Sequence, residues 1–295
     1  MKVRKAVIPV AGLGTRVLPA SKAIPKEMMP VVDKPVIQHV VEEAVAAGIE
    51  EIILVTRSGK SAIEDHFDTH YELEAELVRK EKKALLQAVQ NIVPSGVSIM
   101  SIRQSEAKGL GHAVHCAASA IGNEPFVVIL PDVLVRSGEN NVNDLARMMM
   151  EFEGKGYAQI MVGEVPVDKV HLYGIADCAG VNPAFGRSEA IKGLVEKPLQ
   201  SDAPSNLAVI GRYVFPARIM QLLRDGKPGA GGEIQLTDAI DALLTEESVG
   251  AYKMTGETYD CGEKLGYLKA NIAYGLQHAE TKGGLKEFIR TLELN

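Results

Sequence analysis

Short apolar runs alternate with helical patterns through the first half of the chain. Five of these runs predict buried strands: Lys5–Val10, Glu51–Val55, Ser98–Ile102, Phe126–Leu130 and Ala158–Val162. Apolar residues that recur at threes and fours predict four helices between them: Val36–Ala47, Tyr71–Gln90, Leu110–Ile121 and Val142–Glu153. This alternation, with short connections, predicts an α/β fold with a Rossmann-like, mostly parallel or mixed central sheet flanked by helices.

The second half of the chain has a different pattern. Three predicted strands follow one another with no long helix between them: Gly174–Asp177, Ala190–Glu196 and Leu207–Phe215. Helices are then predicted at Pro216–Leu223, Gln235–Leu244, Gly262–His278 and Gly283–Leu292. We find no internal repeat and no low-complexity linker. The pattern therefore predicts a single domain, 1–295, with a small β extension and C-terminal helices.

Composition narrows the class of protein. The 295 residues are 46% hydrophobic and 24% charged, with a formal net charge of −6, so a broad basic surface for nucleic acid is not expected. The three cysteines are far apart, which argues against a disulfide framework and fits a reducing cytoplasm. The apolar runs are too short for a transmembrane helix, and the first one indicates a strand rather than a signal peptide.

The segment Val7–Pro30, VIPVAGLGTRVLPASKAIPKEMMP, begins like a strand that leads into a phosphate-binding glycine turn. It lacks the spacing of a P-loop, and Val17 stands where a dinucleotide fingerprint needs its third glycine. Pro19 and Pro25 also make an immediate regular helix unfavourable, since each removes a backbone donor. These features indicate a different, extended loop.

An extended loop suits a polyphosphate. Successive backbone N–H groups over Gly12–Thr15 would point at phosphate oxygens, because glycine permits the required dihedral angles and close approach. Arg16 adds a fork of donors, and Lys26 would return to the same place from the far side of the loop. A G-x-G pattern alone is a weak signal; the whole run with its prolines is far more specific.

The run AGLGTRVLPASKAIPKEMMPVVDKPVIQHVVEEA resembles the signature of the sugar-1-phosphate nucleotidylyltransferases. GLGHAV, LPD, YGI, VEKP and YDCG follow in family order, so the resemblance covers nearly the whole chain. It implies a nucleotidyltransferase (glycosyltransferase-A-like) fold, with a nucleotide-binding half at about 1–135, a sugar-binding half at about 136–260 and C-terminal helices at about 261–295. Family members form homodimers or homotetramers, and these last helices are candidate contacts.

Within that family, the PKEMMPVVDKPVIQ continuation is most similar to members that transfer a uridylyl group. The implied reaction is UTP plus glucose 1-phosphate giving UDP-glucose plus pyrophosphate. A sugar-phosphate oxygen attacks the α-phosphorus in line, and because this nucleophile is already an anion, no strong general base is needed. Positioning and electrostatics should supply nearly all of the catalysis. The reaction therefore calls for cationic side chains and a Mg²⁺ ion held by carboxylates.

The resemblance assigns each part of the site to residues of this chain. The catalytic residues are Arg16, Lys26 and Lys197, and the magnesium ligands are Asp132 and Asp260. The nucleotide contacts are Ala11, Gly12, Leu13, Gly14, Thr15, Glu27, Gln104 and Gly109. The sugar contacts are Gly174, Glu196, Lys197, Asn206 and Val209.

The residues themselves support these assignments unequally. Asp132 ends a buried strand, where ligands of open α/β sheets gather, although an isolated Pro-Asp is more often a turn. Asp260 on sequence alone indicates a helix N-cap. Lys197 follows a strand, but a Glu-Lys pair is commonly solvated surface. Gln104 offers the donor and acceptor that match one edge of uracil, yet alone it would be an ordinary surface amide.

Three other functions stay open at this point. One is nucleotidyl transfer with a different nucleotide or sugar phosphate, such as formation of dTDP-glucose. The second is a glycosyltransferase that consumes a nucleotide sugar, but its usual D-x-D motif is missing, because Val133 and Leu134 follow Asp132. The third is a non-catalytic nucleotide-sugar sensor, which the presence of Arg16 and Lys26 argues against.

Overall fold

The computed structural model describes residues 2–137, 143–229 and 232–292. The strands are β1 (Lys5–Pro9), β2 (Pro30–Val31), β3 (Lys34–Pro35), β4 (Glu51–Thr56), β5 (Ser98–Arg103), β6 (Phe126–Ile129), β7 (Val133–Arg136), β8 (Ala158–Glu164), β9 (Gly174–Asp177), β10 (Ser188–Ala190), β11 (Gly193–Glu196), β12 (Leu207–Phe215), β13 (Val249–Lys253) and β14 (Glu257–Asp260). The helices are α1 (Val36–Ala46), α2 (Ser61–Phe67), α3 (Tyr71–Arg79), α4 (Lys83–Gln90), α5 (Gly109–Cys116), α6 (Ala118–Ile121), α7 (Asp144–Lys155), α8 (Arg218–Asp225), α9 (Leu236–Leu244), α10 (Lys264–Gly275) and α11 (Lys282–Thr291).

A mixed sheet forms the centre of the molecule, in the order β10-β13-β8-β12-β6-β1-β4-β5, with β9 and β11 joined at its side. Strands β6, β1, β4 and β5 are parallel, whereas β12 runs antiparallel to both β6 and β8. The carboxyl ends of β1, β4, β5 and β6 therefore meet at one edge of the sheet, which is where ligands bind in open α/β sheets. The predicted α/β fold is confirmed.

Helices cover both faces of this sheet. In β1, Ala6 and Ile8 face the apolar cluster that includes α1 and α7, whereas Val7 faces the cluster that includes α5, α8 and α9. Side chains of a strand alternate between the two faces, so a strand covered on both sides has to be continuously apolar. This explains why the first strands appear in the sequence as unbroken hydrophobic runs.

Several predicted elements are divided in the structure. The predicted helix Tyr71–Gln90 is two helices, because Glu81 between them has a φ of 53° that an α-helix does not allow. The predicted helix Leu110–Ile121 is likewise α5 followed by α6. The predicted strand Ala190–Glu196 is interrupted and forms the end of β10 and all of β11.

Other boundaries and elements also differ from the prediction. Helix α7 begins at Asp144 because the Asn143 side chain caps it, accepting from the Ala146 N–H at 3.0 Å; Val142, where we predicted the start, lies outside the described residues. Helix α2 and the strands β7, β13 and β14 were not predicted. Within the described ranges, no helix is long and apolar enough to cross a membrane.

Candidate active site

The glycine loop after β1 folds back on itself in short 3₁₀ turns, Thr15–Val17, Ala20–Lys22 and Lys26–Met28, rather than in one long helix. Gly14 has a left-handed φ of 69°, and its carbonyl accepts from Ser21 Oγ at 2.7 Å. A Cβ built on Gly14 would lie 3.2 Å from Lys26 Cβ, and one on Gly12 would lie 3.9 Å from Lys26 Cε. The two glycines thus make room for the returning Lys26, as the extended-loop prediction requires.

Four of the predicted residues form one charged cluster. Lys26 Nζ lies 2.6 Å from Asp132 Oδ2, and Arg16 Nη2 lies 3.4 Å from the same oxygen. The other nitrogen of the fork, Arg16 Nη1, lies 2.9 Å from Asp260 Oδ2. The two acids come together because β7 and β14 pair in antiparallel register, with Val133 opposite Asp260. The structure therefore places both proposed magnesium ligands and both loop cations in one place.

The cations of the cluster favour the ionised form of Asp132. Burial by itself opposes the charge of Asp132, but Lys26 and Arg16 outweigh it and lower the pKa of that carboxyl. Burial alone would lower the pKa of the Arg16 guanidinium, but Asp260 and Asp132 outweigh it, and the pKa is raised. Cys261, next to Asp260, shows the opposite effect: burial and the two carboxylates raise the pKa of its thiol to about 12. The site thus holds carboxylates and cationic side chains in direct contact.

Gly262 is a feature that the sequence reasoning missed. A Cβ at this position would lie 2.5 Å from Arg16 Nη2, 2.7 Å from Asp132 Oδ2 and 2.9 Å from Asp260 Oδ1. The Gly262 N–H also donates to Asp260 Oδ1 at 2.8 Å. The signal was present in the motif YDCG, of which we used only the acid.

The expectation that Asp260 is an N-cap is wrong. Asp260 is the last residue of β14, and α10 starts only at Lys264, with Glu263 in the cap position. Asp260 therefore owes its place to strand pairing rather than to a helix end. Its Oδ2 accepts from Arg16 Nη1, and its Oδ1 accepts from the Gly262 N–H.

A cleft of about 630 Å³ extends from this cluster. It is lined by the two acids, by Arg16, and by four of the predicted sugar contacts: Gly174, Glu196, Lys197 and Val209. A Cβ on Gly174 would lie 3.1 Å from Glu196 Oε2 and 3.7 Å from Val209 Cγ2, so these residues form one surface. The structure thus brings four of the five predicted sugar-side residues to the cleft that the proposed metal ligands line.

Lys197 has an unusual backbone in this cleft. Its φ is 48°, a left-handed value that costs a residue with a Cβ about 1 kcal/mol or more. The strand β11 ends one residue earlier, and the Lys197 N–H donates to the Tyr173 carbonyl at 3.0 Å. Its Nζ lies 3.4 Å from Glu196 Oε1, and 62% of the side chain is exposed. The ammonium group is therefore accessible to a ligand in the cleft.

Asn206 is placed differently from the other predicted sugar contacts. Its Nδ2 donates to the Val165 carbonyl at 3.2 Å, and its own carbonyl accepts from the Val165 N–H at 3.0 Å. Val165 lines the cleft, whereas Asn206 is not among the described residues that do. In this structure Asn206 supports the wall of the cleft.

A second, smaller pocket of about 300 Å³ lies at the start of the glycine loop, next to the ends of β4 and β5. Ala11 and Gln104 line it, as predicted for the nucleotide side, and Gln104 Nε2 donates to the Gly109 carbonyl at 3.2 Å. Arg57 and Arg103 line the same pocket and were missed. They follow or end β4 and β5, so the rule that strand carboxyl ends carry the ligand would have found them.

Glu27 does not line this pocket. Its side chain is fully buried, with Oε2 2.7 Å from Lys60 Nζ, and its Oε1 has no hydrogen-bond partner in the described part of the chain. Burial raises the pKa of Glu27, partly offset by Lys60. Glu27 is thus a buried neighbour of Lys26 that pairs with Lys60, and its contact with the nucleotide stays a prediction.

Comparison with known proteins identifies the family of this chain. The profile of the family described as Nucleotidyl transferase matches residues 5–276. The chain belongs to the nucleotidyl transferase family.

Among nucleotidyl transferases, the UTP--glucose-1-phosphate uridylyltransferase of Haemophilus influenzae is 56% identical over 290 residues, which are 98% of each chain. A UTP-bound UGPase from Acinetobacter baumannii superposes with a TM-score of 0.93 at 53% identity, covering 99% of this chain and 100% of that one. A UDP-glucose pyrophosphorylase complexed with UDP-glucose gives a TM-score of 0.83 at 41% identity, covering 94% and 100%. The resemblance seen in the sequence is confirmed.

The charged cluster also fits the divalent cation that nucleotidyl transferases generally use. Asp132 and Asp260 supply two hard carboxylates. In residues 2–137, 143–229 and 232–292 there is no group of three or more His, Cys, Asp or Glu side chains that would hold a metal alone. Two carboxylates leave coordination positions for phosphate oxygens and water, which is how a cation shared with a nucleotide is bound.

Proposed function

We propose that the chain transfers the uridylyl group of UTP to glucose 1-phosphate, giving UDP-glucose and pyrophosphate. The position of the charged cluster supports this proposal. Residues of the glycine loop line two cavities: Ala11 lines the smaller one and Arg16 lines the larger one. A nucleotide base in the first and a sugar in the second would meet their phosphates at Lys26 and Asp132. The named relatives support the choice of uridine and glucose.

On the nucleotide side, the base would lie against Ala11, Gln104 and Gly109. The triphosphate would then cross the loop over Gly12–Thr15, whose backbone N–H groups supply neutral donors. Arg16 and Lys26 would carry the positive charge. Glu27 would act indirectly, through Lys60 and the backbone that holds Lys26.

On the sugar side, Glu196 would accept hydrogen bonds from sugar hydroxyls and the exposed Lys197 ammonium would bind the phosphate. Gly174 would let the backbone approach the sugar, with Val209 as its apolar neighbour. Asn206 would support this wall through Val165. These contacts fix glucose 1-phosphate with one phosphate oxygen directed at the uridylyl group.

In the reaction, that phosphate oxygen forms a bond to the α-phosphorus of UTP while the bond from the α-phosphorus to the bridging oxygen of pyrophosphate breaks. No proton needs to be removed from the nucleophile. Arg16 and Lys26 would neutralise the charge that builds up on the phosphoryl oxygens and on the leaving pyrophosphate. Asp132 and Asp260 would hold Mg²⁺, and the bound ion would supply further charge neutralisation at the same phosphates.

We propose the same division of the single domain, 1–295, as the sequence indicated: nucleotide-binding to about 135, sugar-binding to about 260, then the C-terminal helices. Exposed apolar residues on α10 and α11, among them Leu265, Leu268 and Phe288, support a homodimer or homotetramer contact there. The three cysteines are free thiols, which supports a cytoplasmic location.

Pyrophosphate release tests the proposed reaction. The protein should release pyrophosphate and form UDP-glucose from UTP, glucose 1-phosphate and Mg²⁺, and a chelator should stop turnover until Mg²⁺ is restored. The same assay with dTTP, CTP, ATP and GTP tests the nucleotide. Absence of pyrophosphate release would refute the reaction, and equal turnover with another triphosphate would refute the uridylyl assignment.

A further inference from the structure

Gln104, at the end of β5, is held by two neighbours on α5. Its side-chain Nε2 lies 3.2 Å from the Gly109 carbonyl oxygen and 3.0 Å from His112 Nδ1. Gln104 is only 9% exposed, yet it lines the pocket on the nucleotide side. The amide therefore has a restrained orientation at the place where a base would bind.

The chemistry of these neighbours decides which way the amide points. A backbone carbonyl only accepts, so the Gln104 nitrogen rather than its oxygen must face Gly109. The amide nitrogen has two hydrogens, and the second one is directed at His112 Nδ1. That ring nitrogen must therefore accept, which requires the neutral imidazole with its proton on Nε2.

Both Gln104 hydrogens are consumed in this arrangement. What remains for a ligand is Oε1, which can only accept and to which no residue in the described ranges donates. From the sequence we expected the Gln104 amide to offer both a donor and an acceptor to the base. In the structure, the Gln104 amide offers the base only an acceptor, Oε1.

An acceptor at this point distinguishes the pyrimidines. Uracil carries N3–H, which donates to Oε1, whereas cytosine has a lone pair at N3, which Oε1 would repel. If the amide rotated by half a turn, its NH₂ group would face the base and would favour cytosine. That rotation would also set Oε1 against the Gly109 carbonyl and the His112 lone pair, so His112 is one of two restraints against it.

We propose that His112 is a specificity-determining positioning residue: by accepting from Gln104 Nε2, it fixes the amide so that the pocket selects uracil over cytosine. The inference rests on the proposed function only for the place of the base. His112 itself would act through Gln104.

The test is binding of UTP and of CTP, each with Mg²⁺, measured by calorimetry on purified full-length protein without a sugar phosphate. His112→Leu removes the acceptor, and the ratio of UTP to CTP affinity should fall about five- to tenfold, the size of one hydrogen bond. His112→Asn can place Oδ1 near the former Nδ1 and should restore most of the ratio. His115→Leu, on the same helix, is the matched control and should leave the ratio unchanged.

The outcomes separate this inference from other effects. A structural role alone would weaken both nucleotides equally and lower Tm, so an unchanged ratio in His112→Leu would overturn the inference, as would an equal loss in His112→Asn. Failure of the proposed reaction would appear instead as wild-type protein that binds UTP but releases no pyrophosphate with glucose 1-phosphate. In that case, the ratio of UTP to CTP affinity in the variants would still test the role of His112.

Discussion

Lys26 Nζ lies 2.6 Å from Asp132 Oδ2, which joins the proposed catalytic cation to a proposed magnesium ligand. The two residues are 106 positions apart in the chain, and each side chain is about 15% exposed. One comes from the return of the glycine loop and the other from the turn after β6. A bond between them fixes the loop relative to the sheet edge, so the phosphates and the carboxylates would be positioned together.

Replacing either partner should damage turnover more than folding. Lys26→Ala removes the ammonium group and Asp132→Ala removes a carboxylate from a site whose catalysis is electrostatic, so each should lower kcat by on the order of 10²-fold or more. Pyrophosphate release measures this, with circular dichroism and Tm to show that the fold survives. Lys286→Ala, an exposed lysine on α11, is the control. Near-normal rates at saturating Mg²⁺ would remove both residues from the mechanism.

Lys197→Ala should mainly weaken glucose 1-phosphate. The ammonium group lies in the cleft with Glu196, away from the pocket that Ala11 and Gln104 line. Its loss should raise KM for glucose 1-phosphate about tenfold or more, with little change in KM for UTP. Steady-state kinetics with each substrate varied separately measures both constants. Lys192→Ala, an exposed lysine just before β11, should change neither; an effect on UTP alone would mean that Lys197 is wrongly placed.

The local chemistry of the loop was predictable from the sequence. Gly12 and Gly14 permit close approach, and Pro19 and Pro25 prevent a long helix whatever the rest of the chain does. The structure shows the short 3₁₀ turns that follow from this, with Lys26 returned to the glycines.

Features that depend on long-range packing were not predictable. Asp260 reaches the site through the register of β7 with β14, two strands that are more than 100 residues apart in the chain and of which neither was predicted. The pair of Glu27 with Lys60 depends on where α2 begins, and that helix was also missed. Periodicity reveals which residues are buried but not which distant residue lies opposite them.

The thiol of Cys261 should resist alkylation in the folded protein. Only the thiolate reacts, and a pKa of about 12 leaves roughly one thiol in ten thousand ionised at about pH 8. The ionised fraction becomes large only as the pH approaches the pKa. Iodoacetamide treatment followed by mass spectrometry measures the labelling of each cysteine. Cys116, which is half-buried, should label before Cys261, and urea-unfolded protein should label fully. Rapid labelling of native Cys261 would contradict its burial between the carboxylates.

Lys60→Met should destabilise the protein strongly, because it leaves the fully buried Glu27 carboxylate without its partner. We expect a loss of about 3 kcal/mol in the free energy of unfolding, measured with urea. Glu27→Gln in the same chain should recover part of that loss, so the double-mutant cycle should show coupling of about 1–3 kcal/mol.

The exposed pair of Arg218 with Glu246 is the control for this cycle, since such pairs couple by less than about 1 kcal/mol. Coupling between Lys60 and Glu27 no larger than in the control would show that the buried pair does not hold the loop. Turnover should fall along with stability in Lys60→Met, because Glu27 is the neighbour of Lys26.

Gly262→Ala should abolish most activity without unfolding the protein. The new methyl group would lie under 3.0 Å from Arg16 Nη2, Asp132 Oδ2 and Asp260 Oδ1. These are the ends of side chains, so they can shift, but the shift separates the two carboxylates from each other and from the guanidinium. Displacements of about 1 Å in a site that acts by positioning cost on the order of 10²-fold in rate.

Gly283→Ala is the matched control, since a Cβ there meets nothing within 4 Å and alanine favours the helix α11 that contains it. Pyrophosphate release and Tm should be measured on both variants. Gly283→Ala should keep its rate and lose no stability, whereas Gly262→Ala should keep its fold and lose its rate. If Gly262→Ala turned over normally, the close arrangement of Arg16, Asp132 and Asp260 would be dispensable, and the electrostatic mechanism built on it would fail.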